Sequence, residues 1–176
     1  MGKEKLLLPL GDRPVIAHSI GALREAGVSE IVAVTRPEGT ALRDHIRQYQ
    51  VTSVVNPDPA SDMAGSVRSG LPFITGDTVF VFPADYPLIS PATLRAMLAA
   101  PDSAIVIPRC HGRRGHPVLF PYPLLKEINT VPTLRDIISR HQDNVRYVDV
   151  PDTGILLDMD TPEDYLRMCA LFHIAD

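Results

Sequence analysis

Thr78-Val-Phe-Val-Phe-Pro-Ala-Asp-Tyr-Pro-Leu-Ile89 is the stretch from which the fold can be read. Thr78 to Phe82 are β-branched or aromatic and uncharged, the composition of a strand buried on both faces of a parallel sheet. Pro83 ends such a strand, because it has no N–H for the ladder and its φ is fixed. The next polar residue is Asp85, a carboxylate beyond the carboxyl end of a central strand. Open α/β sheets bind ligands in the crevice outside the carboxyl ends of their strands. Aspartate is also common in proline-containing turns. Taken locally, Asp85 fits a turn residue before Pro87 and a ligand-binding carboxylate equally well.

The flanking segments alternate. Upstream, Pro14 to Glu25 reads as a helix with Asp12 placed to cap it and Val15, Ile16, Ile20 and Leu23 on one face. Ile31 to Thr35 is a buried strand, Pro37 to Gln50 a second helix, Val51 to Val55 a short strand, and Met63 to Leu71 a helix entered through Ser61 or Asp62. Downstream, Ser90 N-caps a helix from Pro91 to Ala99, and Ala104 to Pro108 is a strand. Arg109 to Gly115 is a basic hairpin turn, and His116 to Phe120 runs back as a strand. That return predicts an antiparallel member of the kind common at the edges of large α/β sheets. A helix around Thr133 to Arg140, a strand at Val145 to Val150, an extended segment Gly154 to Asp160 and a helix from Pro162 to Phe172 follow. The alternation means βαβ units and a three-layer, Rossmann-like α/β domain with a mainly parallel sheet.

Composition narrows the function. A chain of 176 residues suits one domain with a sizeable core and is short for two, so residues 1–176 are expected to form a single domain. The net charge of −4 argues against nucleic acid as a partner, since proteins that neutralise phosphate backbones carry basic excess. A nucleotide needs only a few local cations or a metal. Cys110 and Cys169 lack metal-ligand spacing, which makes a reduced, cytoplasmic setting the default. No apolar run approaches the length of a membrane span, and Met1 to Leu10 has no signal-peptide core.

Three constellations can carry chemistry. The first joins Asp85 to Leu157-Asp-Met-Asp-Thr-Pro-Glu-Asp164, where Asp158 and Asp160 point the same way from an extended segment. Carboxylates from two loops at one sheet edge suit Mg²⁺, which takes hard oxygen ligands and usually only one or two protein carboxylates. A plain helix start explains Asp160, Thr161 and Glu163 but leaves Asp158 over. The second is Arg109-Cys-His-Gly-Arg-Arg-Gly-His-Pro117. Arg113 and Arg114 read as a solvated turn, while Gly115 allows close approach to a ligand beside His116. His18, His45 and His141 read as surface positions on helices. The third is Asn56-Pro57 with Ser66 and Gly70, because an amide at a strand's carboxyl end can read a base edge. No Gly-x-Ser-x-Gly, His-Glu-x-x-His or GxxxxGK[ST] pattern occurs.

Several motifs then occur in order: Lys5-Leu-Leu-Leu-Pro-Leu-Gly11, Ala22-Leu-Arg-Glu-Ala-Gly27, Asn56-Pro57 with Met63, Ser66, Arg68 and Gly70, Ala84-Asp-Tyr-Pro87, Gly112-Arg-Arg-Gly-His-Pro-Val-Leu-Phe120 and Leu156-Leu-Asp-Met-Asp-Thr-Pro-Glu-Asp164. The chain resembles the MobA-like nucleotidyltransferases along its length, above all the branch that makes molybdopterin cytosine dinucleotide. The resemblance implies transfer of a nucleoside monophosphate from an NTP, CTP in that branch, to a phosphorylated acceptor such as molybdopterin, with Mg²⁺ and release of pyrophosphate. It implies that Gly2 and Lys5 hold the NTP phosphates and that Asn56, Ser66 and Gly70 line the nucleotide site. It further implies that Asp85 binds Mg²⁺ together with Asp158 or Asp160, and that His116 lies near the acceptor. The family places a strand and a glycine-rich loop before its Met-Gly-x-x-Lys, which here is Met1 to Lys5. That predicts a sheet lacking the family's first strand, with Leu6 to Leu8 or a partner chain as candidates to cover the gap. A homo-oligomer or a molybdoenzyme would be such a partner. A non-catalytic cofactor-binding protein of molybdoenzyme maturation and a sugar-phosphate transferase are the competing expectations. Flavodoxin-like and response-regulator domains also place an aspartate after a buried strand, but leave Asp158 and Asp160 unexplained.

Overall fold

The computed structural model describes residues 5–58, 60 and 62–175, with side chains described to residue 172. A turn of 3-10 helix, Lys5–Leu7, leads into a small antiparallel hairpin of β1 (Pro9–Leu10) and β2 (Arg13–Pro14). Helix α1 (Val15–Glu25) follows, then β3 (Val32–Thr35), α2 (Thr40–Ile46), β4 (Thr52–Val55), α3 (Met63–Gly70) and β5 (Thr78–Val81). After α4 (Pro91–Leu98) come β6 (Ile105–Cys110), β7 (Arg113–Arg114) and β8 (Val118–Pro121). The chain continues through α5 (Tyr122–Leu125), α6 (Leu134–Arg140), β9 (Val145–Asp149) and α7 (Pro162–Ala175).

The helix starts expected from sequence carry their caps. Ser90 accepts from the Thr93 amide, Asp62 from Gly65, and Thr133 forms a reciprocal capping box with Asp136. Asp12 does not cap α1. The N-cap is Pro14, and the Val15 amide donates instead to the Leu8 carbonyl at 3.0 Å, folding the hairpin back onto the helix start. The helix expected over 37–50 is shorter, because Gly39 closes a turn on the Arg36 carbonyl before α2 begins.

β5 and β6 both pair antiparallel with β8, so they run in one direction, and β9 joins β6 in parallel. β8 therefore runs antiparallel to them, as does the two-residue β7, but β8 lies between β5 and β6 and not at an edge. Its composition permits that place: Leu119 and Phe120 alternate between the two buried faces. On one face Phe120, Ile105 and Ile107 meet α3, α5 and α6 through Ala64, Leu125 and Ile137. On the other, Val106 and Leu119 meet Met97 of α4, while Ala22 and Leu23 of α1 pack with Leu94. Each such fully buried side chain contributes roughly 1.5–3 kcal/mol. The result is three layers, helices on both faces of the sheet.

β3 and β4 form a separate parallel pair. Among the described residues no ladder joins β3 to β5. A cleft of about 690 Å³ lies between them, lined by Val32 and Val34 on one side and Val79 and Val81 on the other. Leu6 reaches one end of it from the 3-10 turn and does not enter as a strand.

One surface expectation fails. His18 is buried on α1, its Nε2 lies 2.7 Å from the Leu10 carbonyl oxygen, and its ring meets Phe172 edge-on. The β1–β2 hairpin supplies that acceptor, which helical periodicity alone does not reveal. Arg113 and Arg114 are exposed as expected, and both cysteines are free thiols.

Candidate active site

Asp85 stands on the loop that leaves β5. Two contacts hold its backbone: the Ser19 hydroxyl of α1 donates to the Ala84 carbonyl, and the Met159 amide donates to the Asp85 carbonyl at 3.0 Å. The second contact sets the Asp85 loop beside the segment carrying Asp158 and Asp160. Met159, between them, is fully buried among Leu10, Val15 and Met168, so its neighbours face outward. The alternation read from sequence is what the packing of Met159 enforces.

Asp160 is not the cap of α7. Thr161 and Asp164 exchange capping hydrogen bonds, leaving the Asp160 carboxylate to turn toward Lys5. Lys5 Nζ lies 2.8 Å from Asp85 Oδ2 and 2.8 Å from Asp160 Oδ1. The two carboxylate oxygens are thus within two hydrogen-bond lengths of each other. Burial works against the Lys5 charge, but the hydrogen bonds to Asp160 and Asp85, and their charges, outweigh it, so its pKa lies above the ordinary lysine value. Asp158 adds negative charge that is felt at Tyr86 and His116.

Tyr86 and His116 form the adjoining wall. Their ring centroids are 5.1 Å apart at 59°. The His116 amide donates to the Ile155 carbonyl at 2.9 Å, and its Nδ1 is buried with no hydrogen-bond partner among the described residues. Burial lowers the His116 pKa against the pull of Asp85 and Asp158, which favours the neutral imidazole. Burial, then the charges of Asp158, Asp85 and Asp160, push the Tyr86 phenol up to about 12, so it remains an O–H donor. Gly115 does allow a close approach, but to the protein itself. A Cβ there would strike the Ile155 carbonyl oxygen, so the glycine seats the segment leaving the β6–β7 hairpin on the 153–156 turn.

Asp152, which local sequence gave no reason to single out, ties this floor together. Its carboxylate accepts from the Ser90 amide at 2.8 Å, the Thr93 hydroxyl at 2.6 Å and the Gly154 amide at 2.9 Å. The start of α4 and the turn before Asp158 are thereby fixed to one group. The Asp-x-Gly spacing signals the local turn; nothing in the sequence signals the partners on α4.

The remaining predicted residues are elsewhere. Asn56 is buried at the end of β4, its side-chain oxygen accepting from the Asp58 amide at 3.1 Å, which is an Asn turn closing on itself. Ser66 lies along α3 beside the apolar cleft. Gly70 is a packing residue: a Cβ would sit 2.9 Å from Val34 Cγ2, so the glycine lets α3 lie against β3. Gly2 falls outside the described residues. The structure thus gathers Lys5, Asp85, Asp158, Asp160 and His116, while Ser66 and Gly70 line the cleft that Leu6, Pro83 and Ala84 also border, and Asn56 closes the end of β4.

Among the described residues no three His, Cys, Asp or Glu side chains converge as ready metal ligands. Asp85 and Asp160 nevertheless already share one cation, the Lys5 ammonium, and they are the hard oxygen donors that Mg²⁺ takes from proteins. Among the described residues no helix is long and apolar enough to cross a membrane.

The model of one protein family, described as the MobA-like NTP transferase domain, matches residues 1–145. The chain is 27% identical over 169 residues to the molybdenum cofactor cytidylyltransferase of Escherichia coli, covering 94% of this chain and 87% of that protein. It is 31% identical over 108 residues to a 2-C-methyl-D-erythritol 4-phosphate cytidylyltransferase of Cereibacter sphaeroides, covering 57% of this chain and 48% of that one. Among solved structures it superimposes on a nucleotidyl transferase from Methanothermobacter with a TM-score of 0.85 at 22% identity, covering 98% of this chain and 86% of that one. At that identity the likeness establishes the Rossmann-like nucleotidyltransferase fold.

Proposed function

We propose the following function for a chain that belongs to the MobA-like NTP transferase domain family: it transfers a cytidylyl group from CTP to the phosphate of a small acceptor, a molybdopterin, and releases pyrophosphate. The carrying observation is that Lys5, Asp85 and Asp160 meet at one point beyond the carboxyl end of β5, each carboxylate 2.8 Å from the ammonium. Two similar proteins, the E. coli and Cereibacter enzymes, are cytidylyltransferases by name, which supports the choice of base. The acceptor follows the first of them.

In this reaction an oxygen of the acceptor phosphate attacks the α-phosphorus of CTP. The bond from that phosphorus to the bridging oxygen breaks, and pyrophosphate departs with the electron pair. No protein nucleophile is required, so positioning and charge neutralisation are the protein's contribution. Asp85 and Asp160 would hold a divalent metal, which would supply charge neutralisation for the triphosphate and the leaving pyrophosphate. Lys5 adds a tethered positive charge to the same place. Asp158 deepens the negative potential that attracts the cation. The Tyr86–His116 wall borders the site on the acceptor side, with a phenol and a neutral imidazole to orient the incoming group.

Pyrophosphate release, measured with each of the four NTPs plus Mg²⁺ and either a molybdopterin or a sugar phosphate, tests the reading. CTP with molybdopterin is expected to turn over, and Asp85→Ala to reduce the rate by about 10²–10³-fold, the loss typical when one preorganised electrostatic group is removed. Equal turnover in wild type and Asp85→Ala would refute the assignment. Preference for a sugar phosphate would replace the acceptor.

A further inference from the structure

Lys5 occupies the place where a metal would have to bind. Its ammonium makes two contacts of 2.8 Å, the length of charge-assisted hydrogen bonds, to carboxylates from two separate loops. Among the described residues, Lys5 is thus shared by two carboxylates, and the charge of Asp158 is felt at the neighbouring Tyr86 and His116. The backbone under Lys5 is anchored, because Leu6 packs among Leu10 and Val15 on one side and Ile16 and Ile20 on the other, and Leu7 joins the second group. The lysine side chain is held at its tip by the two ion pairs, and its flexible four-carbon chain can swing once they are broken while the turn stays put.

We infer that Lys5 is a two-station residue. In the metal-free protein it is the counter-cation of Asp85 and Asp160, and it yields that place to a divalent metal and moves to the phosphates of the nucleotide. This rests on the reading of Asp85 and Asp160 as metal-holding residues. Its consequence is coupling. A metal alone must break two ion pairs, and a polyphosphate alone meets an ammonium already engaged. Each ligand removes the obstacle to the other, and the effect is reciprocal by thermodynamic linkage.

Mn²⁺ binding to the full chain without nucleotide, followed by electron paramagnetic resonance, tests this without any turnover. Lys5→Met removes the resident charge and keeps the apolar stem, so Mn²⁺ is expected to bind on the order of tenfold more tightly than to wild type, within the usual range of coupling between sites. Affinity in Lys5→Met equal to or weaker than wild type overturns the inference. If that variant does not fold, as judged by circular dichroism, wild-type protein labelled at lysine ¹³Cε provides the second measurement. The Lys5 resonance should shift on addition of Mg²⁺, and a resonance that stays fixed while Mg²⁺ saturates the site overturns the inference. Asp85→Asn separates the two levels. If it abolishes Mn²⁺ binding while Lys5→Met gains nothing, only the role of Lys5 fails; if it binds Mn²⁺ like wild type, the metal assignment beneath it fails too.

Discussion

Asp152→Ala should be among the costliest single changes near the site, although Asp152 touches none of the groups proposed to do chemistry. Its carboxylate accepts three hydrogen bonds, from Ser90 N at 2.8 Å, Thr93 Oγ1 at 2.6 Å and Gly154 N at 2.9 Å. A hydrogen bond to a charged group contributes roughly 1.5–3 kcal/mol net. The side chain is half-buried, so water can replace part of what alanine removes, and about 2–4 kcal/mol is the expected loss. For a domain of this size each kcal/mol lowers Tm by about 2–4 °C, giving a fall of roughly 5–15 °C. Asp152→Asn keeps the shape but turns an amide donor toward groups that themselves donate, and should lose roughly half as much. Urea unfolding followed by circular dichroism measures both, with the midpoint moving and the slope m unchanged. At a temperature where the variant is still fully folded, turnover should also fall, because the turn before Asp158 has lost its tether. A stability within about 0.5 kcal/mol of wild type, the range of ordinary surface substitutions, would show that water replaces all three bonds and that Asp152 does not hold the floor of the site.

Other outcomes follow from single contacts. Gly70→Ala should destabilise by about 1–3 kcal/mol through overpacking against Val34 while leaving nucleotide affinity per folded molecule unchanged, which separates a packing glycine from a binding one. The burial-lowered pKa of His116 means that the unfolded chain binds more protons below the ordinary histidine value of 6.5; stability is full above that pH and declines as pH falls below it. Thermal melts of His116→Gln should therefore show a flatter acid limb than wild type. The raised pKa of Lys5 acts in the opposite direction: the folded chain keeps a proton that the unfolded chain releases above 10.5, so wild type should lose stability at alkaline pH more steeply than Lys5→Met.

Much of the site was legible where the signal is contiguous. The apolar run ending at Pro83 marks β5 and puts Asp85 at its carboxyl end, and the Asp-Met-Asp alternation predicts the outward pair that burial of Met159 produces. Lys5 was legible only through likeness to a family, because no local pattern says which carboxylate a lysine near the chain start will meet 80 or 155 residues later. The failures have the same cause. Asp152 finds Ser90 across 62 residues, and His18 finds a carbonyl on a hairpin that the periodicity of α1 does not contain. Gly115 was correctly read as a point of close approach, but the partner is the Ile155 carbonyl and not a ligand. Glycine reports that space is needed; it does not report what fills it.

The cleft between β3 and β5 also has a consequence for how the molecule breathes. By composition these are core strands, Val-rich and flanked by helices. Among the described residues each has a ladder on one side only, β3 with β4 and β5 with β8. Along either strand successive amides point alternately into the ladder and toward the cleft. Hydrogen–deuterium exchange should therefore alternate residue by residue along 32–35 and 78–81, slow where the amide is bonded and fast where it faces the gap. The two half-sheets, joined among the described residues through α1, α3 and side-chain packing and not by a backbone ladder, should open with separate free energies rather than one.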